Sequence, residues 1–236
     1  MEPLQIFHLS LTLRQALRSA ALSEGEPMPQ QTAPIPASHL TGPKPSAWMT
    51  ATLRAALVVR ARLAEDSWQA AHRQGVNQYV ILGAGPDTYA YRADCLPSAQ
   101  ICEVDLQQAG LDDGAPSCFS WLGVTMYLRP DAVMRTLQDI ASYPPGTSIV
   151  FDYCLQADQL TEPERMGLQV VTTALAAQGE HLLSAFEPQR LEHMLRHYGF
   201  SQVEHFGAQE LTERYLADRT DGLRLSGIFR MIRATV

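Results

Sequence analysis

Apolar residues follow two different spacings along this chain. Between about Ser46 and Gln74 they recur every three or four residues, which predicts one long helix with a single apolar face, ended by Gly75. Later apolar runs are short and continuous, as in strands that are buried on both faces of a parallel sheet. The predicted strands span residues 78–82, 100–104, 118–124, 148–152, 202–206 and 224–233.

The remaining segments alternate with these strands. Further helices are predicted at residues 11–22, 130–143, 162–178, 187–197 and 208–215. This alternation predicts an α/β fold with a mostly parallel sheet covered on both faces, and the short connection between the last two strands predicts an antiparallel ending. We expect an N-terminal helical cap with a proline-rich loop (residues 1–75), then an α/β domain (residues 76–236) with a helical insertion at about 160–198.

Composition excludes several classes of function. The chain has 236 residues and a net charge of −7, so it has no basic surplus for nucleic acid. Its four cysteines form no CxxC pair, and no apolar run approaches the roughly 20 residues that a membrane span needs. We therefore expect a soluble, cytoplasmic protein with a small-molecule partner, and no role for nucleic acid or a membrane. His193 and His197 have helical ligand spacing but no third ligand, so no metal site is predicted.

The first predicted strand ends in glycines and an acid: Gly83, Gly85 and Asp87. Glycines let the backbone turn sharply and approach a ligand. Thr88 stands where a dinucleotide fingerprint needs its third glycine, and no Gly-Lys-Ser/Thr phosphate loop is present. The pattern suits a ligand without phosphates, such as S-adenosylmethionine, although a plain strand–turn–helix would read the same way.

The next strands also end in polar or aromatic residues. In doubly wound sheets ligands bind beyond the carboxyl ends of the strands. Asp105 ends the second predicted strand, about 20 residues after the glycines, where an acid can accept hydrogen bonds from ribose hydroxyls. The later strand ends carry Ser120, Trp121, Tyr127, Asp152 and Tyr153.

Several segments together resemble the leucine carboxyl methyltransferase family, which includes bacterial O-methyltransferases of the tetracenomycin type. The resemblance covers roughly residues 48–236. The segments that carry it are Tyr79–Arg92, Cys102–Asp105, Cys118–Leu128, Ile149–Tyr153, Gly179–Glu180 and Arg214–Tyr215. It implies a class I methyltransferase Rossmann-like sheet with a helical cap, S-adenosyl-L-methionine as cofactor, and a place in natural-product biosynthesis.

The resemblance also implies residue roles. Arg62 matches a helix arginine that faces the methionine carboxylate, and a guanidinium can bind a carboxylate through two hydrogen bonds. The other residues expected at the cofactor are Gly83, Gly85, Asp87, Asp105, Ser120 and Trp121. The candidates for contact with the acceptor are Tyr127, Tyr153, Glu180, Arg214 and Tyr215.

One departure from the family concerns the segment after Asp105. Relatives have a helix, a third strand and an acid that contacts adenine there, which needs roughly 25 to 30 residues. This chain continues almost at once to Ala109 and Gly110. Either the sheet lacks its third strand, or the segment is missing from this sequence. A second departure is that Pro86 and Tyr89 replace the usual Leu and Arg.

The expected activity is O-methylation of a carboxylate or phenol of a small molecule. A carboxylate with a pKa near 4 is already ionised, whereas a phenol with a pKa near 10 needs a base. No obvious base lies on the motif strands, which favours a carboxylate acceptor. The alternative is a protein of the same fold that has lost methyl transfer and acts as a cyclase, an isomerase or a binding protein.

Overall fold

A six-stranded sheet with the order β2-β1-β3-β4-β6-β5 forms the centre of the protein. The computed structural model describes residues 47–83, 100–102, 111–177, 179–221 and 223–236. The strands are β1 (Gln78–Ile81), β2 (Gln100–Cys102), β3 (Ser117–Trp121), β4 (Ser148–Cys154), β5 (Gln202–Phe206) and β6 (Phe229–Thr235). Strand β1 pairs in parallel with β2 and β3, and β3 with β4, while β6 is antiparallel to β4 and β5. The predicted mostly parallel sheet with an antiparallel ending is confirmed.

Helices cover both faces of this sheet. They are α1 (Ala47–Arg73), α2 (Pro130–Ala141), α3 (Glu162–Ala176), α4 (Pro188–Tyr198) and α5 (Ala208–Leu216). Helices α1 and α5 pack on the face that carries Val150 and Met231. Helices α2 and α4 pack on the opposite face, against Phe119, Phe151 and Ile232. Because side chains of a strand alternate between faces, neighbouring strand residues belong to different halves of the core.

Three strand predictions need correction. Strand β3 ends at Trp121 rather than at the predicted residue 124, because its pairing with β4 ends there. Strand β4 continues to Cys154, beyond the predicted end at Asp152, because its whole length pairs with β6 from Ser148–Thr235 to Cys154–Phe229. The last strand begins at Phe229 rather than at Arg224, since only the residues opposite β4 and β5 have a partner. The predicted helix 11–22 and the proline-rich segment lie outside the described residues.

The chain makes one long excursion between β4 and α4. Leu155 and Phe186 form an isolated parallel bridge, and the Phe186 N–H donates to the Cys154 carbonyl at 2.8 Å. The chain therefore leaves and rejoins the sheet at one point, and residues 156–185, which include α3, form what we call the β4–α4 excursion. Its helix begins at a capping box between Thr161 and Glu164.

Within the part of the chain that the structure describes, no helix has both the length and the apolar character needed to cross a bilayer.

Candidate functional site

The carboxyl ends of β1, β3 and β4 form one edge of the sheet, and two glycines lie there. Gly83 follows β1 with φ +63°, and Gly123 follows β3 with φ +66°, both in the left-handed region that favours glycine. A Cβ on Gly83 would lie 2.9 Å from Val124 Cγ2, so the glycine lets the loop after β3 pack against the end of β1. We call this region the carboxyl edge.

Asp152 on β4 holds the carboxyl edge together. Its Oδ1 accepts the Gly123 N–H at 2.5 Å, and its Oδ2 lies 3.3 Å from Arg60 Nη1 of α1. Its main-chain carbonyl accepts the Thr125 hydroxyl at 2.5 Å. Its side chain is only 6% exposed, so these partners compensate a carboxylate that would otherwise be costly to bury.

Arg60 lies directly over Gly123. A Cβ built on Gly123 would be 2.6 Å from Arg60 Nη1. The side chain of Arg60 is 18% exposed, and its Nη1 lies between Gly123 and Asp152 at this edge. The sequence prediction selected Arg62 instead, which is exposed on α1 and whose charge acts on Tyr215.

Arg214 and Tyr215, predicted as acceptor contacts, lie against α1, where their partner is Asp66. The Tyr215 hydroxyl donates to Asp66 Oδ2 at 2.7 Å, and Arg214 Nη2 lies 3.5 Å from the same oxygen. Burial and this hydrogen bond raise the pKa of Tyr215. The pair therefore joins α5 to α1.

Ser120 and Trp121 are buried within the sheet. The Ser120 Oγ accepts a hydrogen bond from the Tyr79 hydroxyl at 3.0 Å. Trp121 is 4% exposed and packs in the core beside Phe151, with ring centroids 6.5 Å apart. Gly85, Asp87 and Asp105, predicted at the cofactor, lie outside the described residues.

Tyr153 lies on the face of the sheet opposite to Asp152. It belongs to the core under α4, and its hydroxyl is 3.4 Å from His205 Nδ1. Burial raises the pKa of Tyr153 to about 12. Tyr127 lies in the short 3-10 turn Thr125–Tyr127 at the carboxyl edge. Of these two predicted acceptor contacts, only Tyr127 lies beside the loop that Asp152 positions.

Glu180 lies in the excursion, on a segment that is bonded to the carboxyl edge. The Leu183 and Ser184 N–H groups both donate to the Met126 carbonyl, at 2.7 and 3.3 Å. The Ser184 hydroxyl donates to the Thr125 carbonyl at 2.8 Å. This segment therefore covers the same turn that follows β3.

Sequence reasoning missed Arg60 and Gly123 as parts of this edge, and it noted Asp152 only as a strand end. A signal was present, because a charged residue inside the apolar run 148–154 requires a partner. The identity of that partner could not be read, since Arg60 and Asp152 are 92 residues apart in sequence.

The model of the family described as leucine carboxyl methyltransferase matches residues 16–108 and 105–141. The matched stretches together cover more than half of the chain. The protein belongs to the leucine carboxyl methyltransferase family. The predicted resemblance is thereby confirmed.

Curated relatives of this chain carry the names of methyltransferases. YktD of Bacillus subtilis, named as a candidate S-adenosyl-L-methionine-dependent methyltransferase, is 29% identical over 188 residues, with 63% of this chain and 62% of YktD covered. A protein of Mycobacterium ulcerans with a name of the same kind is 29% identical over 134 residues, covering 41% of this chain and 43% of its own length. The chain thus spans less than two thirds of these relatives, 62% and 43% of their lengths.

Solved structures of low identity share the fold. A candidate methyltransferase from Thermobifida fusca superposes with a TM-score of 0.54 at 15% identity, covering 98% of this chain and 92% of its own. A DUF574 family protein from Streptomyces avermitilis has a TM-score of 0.53 at 14% identity, covering 79% and 84%. The fold is that of class I methyltransferases, as predicted.

The lengths of these alignments show that part of each relative has no counterpart in this sequence. The match with YktD runs over 188 positions but uses 63% of this chain, about 149 residues, so about 39 positions have no counterpart here. The Mycobacterium ulcerans match runs over 134 positions and uses 41%, about 97 residues, so about 37 have none. The two stretches of the family match meet at residues 105–108. This break in the family match lies where the sequence analysis expects the missing helix and strand, and β2 is the outermost strand among the described residues.

Proposed function

We propose that this protein is an S-adenosyl-L-methionine-dependent methyltransferase that methylates an oxygen of a small natural-product-like molecule. The observation that carries the proposal is the Arg60 guanidinium at the carboxyl edge, beside Gly123 and close to the loop that packs on Gly83. Membership of the family and the names of its relatives support the choice of cofactor.

The described residues fit the methionine end of this cofactor. A cation beside a glycine-lined edge is the donor set that a carboxylate needs. Arg60 supplies that cation here, with Asp152 fixing its position, and Arg62 stays a prediction for the same role. The residues predicted for the ribose and adenine, Asp105 foremost, lie outside the described ranges.

The chain would contribute alignment and exclusion of water rather than new covalent chemistry. S-adenosylmethionine supplies a methyl group already activated on a sulfonium. The segment 180–184 covers the turn after β3 through hydrogen bonds to Thr125 and Met126, which holds a roof over the carboxyl edge. A covered site can hold an oxygen nucleophile in line with the methyl carbon and keep water out.

Calorimetric titration with S-adenosylmethionine tests the proposal and separates the two arginines. Substitution of the arginine that binds the methionine carboxylate by Ala weakens binding by more than about 1 kcal/mol, the lower range for a hydrogen bond to a charged group. We expect this loss for Arg60→Ala, while Arg62→Ala tests the prediction from the family resemblance. Arg73→Ala, on the last turn of the same helix, is the matched control and should bind as the wild type does.

A second ligand distinguishes a lost contact from a damaged fold. Methylthioadenosine lacks the methionine carboxylate, so Arg60→Ala should bind it as well as the wild type does. Equal losses for both ligands would mean that the substitution disturbs the edge through Asp152 instead. If wild-type protein shows no heat of binding at millimolar S-adenosylmethionine, the methyltransferase proposal is wrong.

A second candidate follows from the missing unit after Asp105. Among the described residues no strand lies beyond β2, and a sheet without that strand would have one wall of the adenine site rebuilt or absent. A protein that kept the pocket but lost transfer could act as a cyclase, an isomerase or a binding protein. Tight binding of S-adenosylmethionine without methylation of any supplied acid or phenol would favour this candidate.

A further inference from the structure

Glu180 combines deep burial with an unbonded carboxyl oxygen. Its side chain belongs to a residue that is only 5% exposed, and its Oε2 has no hydrogen-bond partner among the described residues. An ionised carboxylate in such a place costs free energy that packing does not return. Such groups in native structures call for a functional explanation.

The backbone around Glu180 needs nothing from its side chain. The Glu180 N–H donates to the Leu175 carbonyl at 3.0 Å, and Gly179 with φ +79° makes the turn that ends α3. Two other acids of the excursion have structural partners, since Glu164 caps α3 and Glu162 pairs with Arg165. Among the described residues no group of three or more His, Cys, Asp or Glu could hold a metal ion.

The segment that carries Glu180 is bonded to the carboxyl edge. Three to four residues further along, Leu183 and Ser184 are bonded to Met126 and Thr125 at the carboxyl edge. We propose that the Glu180 carboxyl faces the acceptor site and selects a neutral hydroxyl, such as a phenol, over a carboxylate. This inference rests on the proposed methyltransferase function.

The charge of Glu180 gives the selection its direction. Burial raises the pKa of Glu180 from 4.5 to about 6, so it is mostly ionised at neutral pH. A carboxylate acceptor would bring a second negative charge into the same covered space, which is unfavourable. A phenol instead can donate a hydrogen bond to Oε2, which has no partner among the described residues. The proposal therefore favours a phenol, whereas the sequence alone favoured a carboxylate acceptor.

The proton balance of the reaction assigns Glu180 a second task. The acceptor oxygen forms its bond to the methyl carbon while the carbon–sulfur bond breaks and its electron pair stays on sulfur. The hydroxyl proton passes to Glu180 and leaves from there to solvent. A base with a pKa close to neutral is well matched to this transfer.

Binding of phenol and benzoate to the full chain tests the selection without turnover. Ligand-observed NMR at millimolar concentrations gives the dissociation constants for wild type, Glu180→Gln and the control Glu162→Gln. We expect the preference for phenol over benzoate to fall about tenfold in Glu180→Gln and to stay unchanged in Glu162→Gln. Glu162 lies on the same excursion but is exposed and paired with Arg165.

The pH dependence supplies a readout that a merely structural role would not produce. Benzoate stays ionised above pH 5, so wild-type affinity for it should fall about fivefold between about pH 5 and pH 7 as Glu180 loses its proton. Glu180→Gln should show no such change. A phenol preference that is the same in wild type and Glu180→Gln, or no binding of phenol to the wild type, would overturn the inference.

The two proposals can fail separately. If S-adenosylmethionine binds normally in calorimetry but the preference does not respond to Glu180→Gln, only the role of Glu180 is wrong. If S-adenosylmethionine itself does not bind, the proposed function fails first.

Discussion

Two buried carboxylates near the carboxyl edge differ in whether their oxygens have partners. Asp152 on β4 accepts the Gly123 N–H and faces the Arg60 guanidinium. Glu180 on the excursion has an oxygen without a partner among the described residues. Both residues are at least 95% buried, with 4% and 5% exposed. The difference teaches that burial alone does not identify a functional acid. The deciding observation is whether its carboxylate oxygens already have hydrogen-bond or ion-pair partners within the fold.

The comparison of Asp152 with Glu180 also separates a structural role from a chemical one. Asp152 joins α1, the loop after β3 and the strand β4, so its charge is part of the architecture. The buried Oε2 of Glu180 makes no hydrogen bond to the described residues, so its burial does not stabilise the fold. Destabilising groups of this kind are typical of functional sites. Substitutions at the two positions should therefore change stability with opposite sign.

The largest expected effect is that of Asp152→Ala. Removing this carboxylate leaves the Gly123 N–H and the Arg60 guanidinium without their buried partner, which should cost about 3 kcal/mol of unfolding free energy. Urea denaturation followed by circular dichroism measures the loss. The control Asp139→Ala removes an exposed acid of α2 and should change stability by less than about 0.5 kcal/mol. A loss below about 1 kcal/mol at Asp152 would contradict its architectural role.

The next effect is that of Gly123→Ala, compared with Gly75→Ala. Both glycines have a positive φ, so both substitutions strain the backbone by about 1 kcal/mol. Only the Cβ at Gly123 meets another group, Arg60 Nη1 at 2.6 Å, whereas nothing lies within 4 Å at Gly75. Gly123→Ala should therefore cost about 1 kcal/mol more than Gly75→Ala.

A double-mutant cycle assigns that excess to Arg60. In an Arg60→Ala background the additional cost of Gly123→Ala should vanish, leaving only the backbone strain. An excess that persists without Arg60 would place its cause elsewhere in the loop.

The smallest expected effect has the opposite sign. Glu180→Gln removes a buried charge but keeps the shape, so at pH 7 it should stabilise the protein by about 1 kcal/mol. Destabilisation by this substitution would mean that Glu180 has a structural partner after all.

The pH dependence checks the same comparison. The pKa of Glu180 is raised from 4.5 to about 6 in the folded state, so the folded state holds this proton more tightly than the unfolded state. The stability that protonated Glu180 contributes is fully present below about pH 4.5 and is lost as the pH rises through about 6. The unfolding free energy of the wild type should thus decline relative to that of Glu180→Gln across this window. All other titrating groups are shared by the two proteins, so their contributions cancel in this comparison.

The fold was largely predictable because periodicity reports burial directly. The spacing of apolar residues in α1 and the continuous runs of the strands determined the class of fold, and β5 was predicted with its observed bounds. The end of β4 and the start of β6 were mispredicted, since their lengths depend on mutual pairing between residues about 80 positions apart.

The site was predictable only where a motif names the residue. Gly83 was predicted from its strand-ending glycine pattern, and the structure places it at the carboxyl edge with a positive φ, while its role at the cofactor stays a prediction. The roles of Arg60 and Gly123 depend on how α1 crosses the end of β3, which no local pattern encodes. Tyr153 carried the right chemistry but points to the other face, because it alternates with Asp152 along β4.

The closed base of the β4–α4 excursion has a consequence for evolution and engineering. Because residues 156–185 depart and return through the Leu155–Phe186 bridge, they can be exchanged as a cassette without resetting the register of the sheet. Ser184 and Thr125 would act as the docking point for any replacement. Transplanting residues 156–185 between relatives should then transfer the acceptor preference, while the sheet and its carboxyl edge stay unchanged.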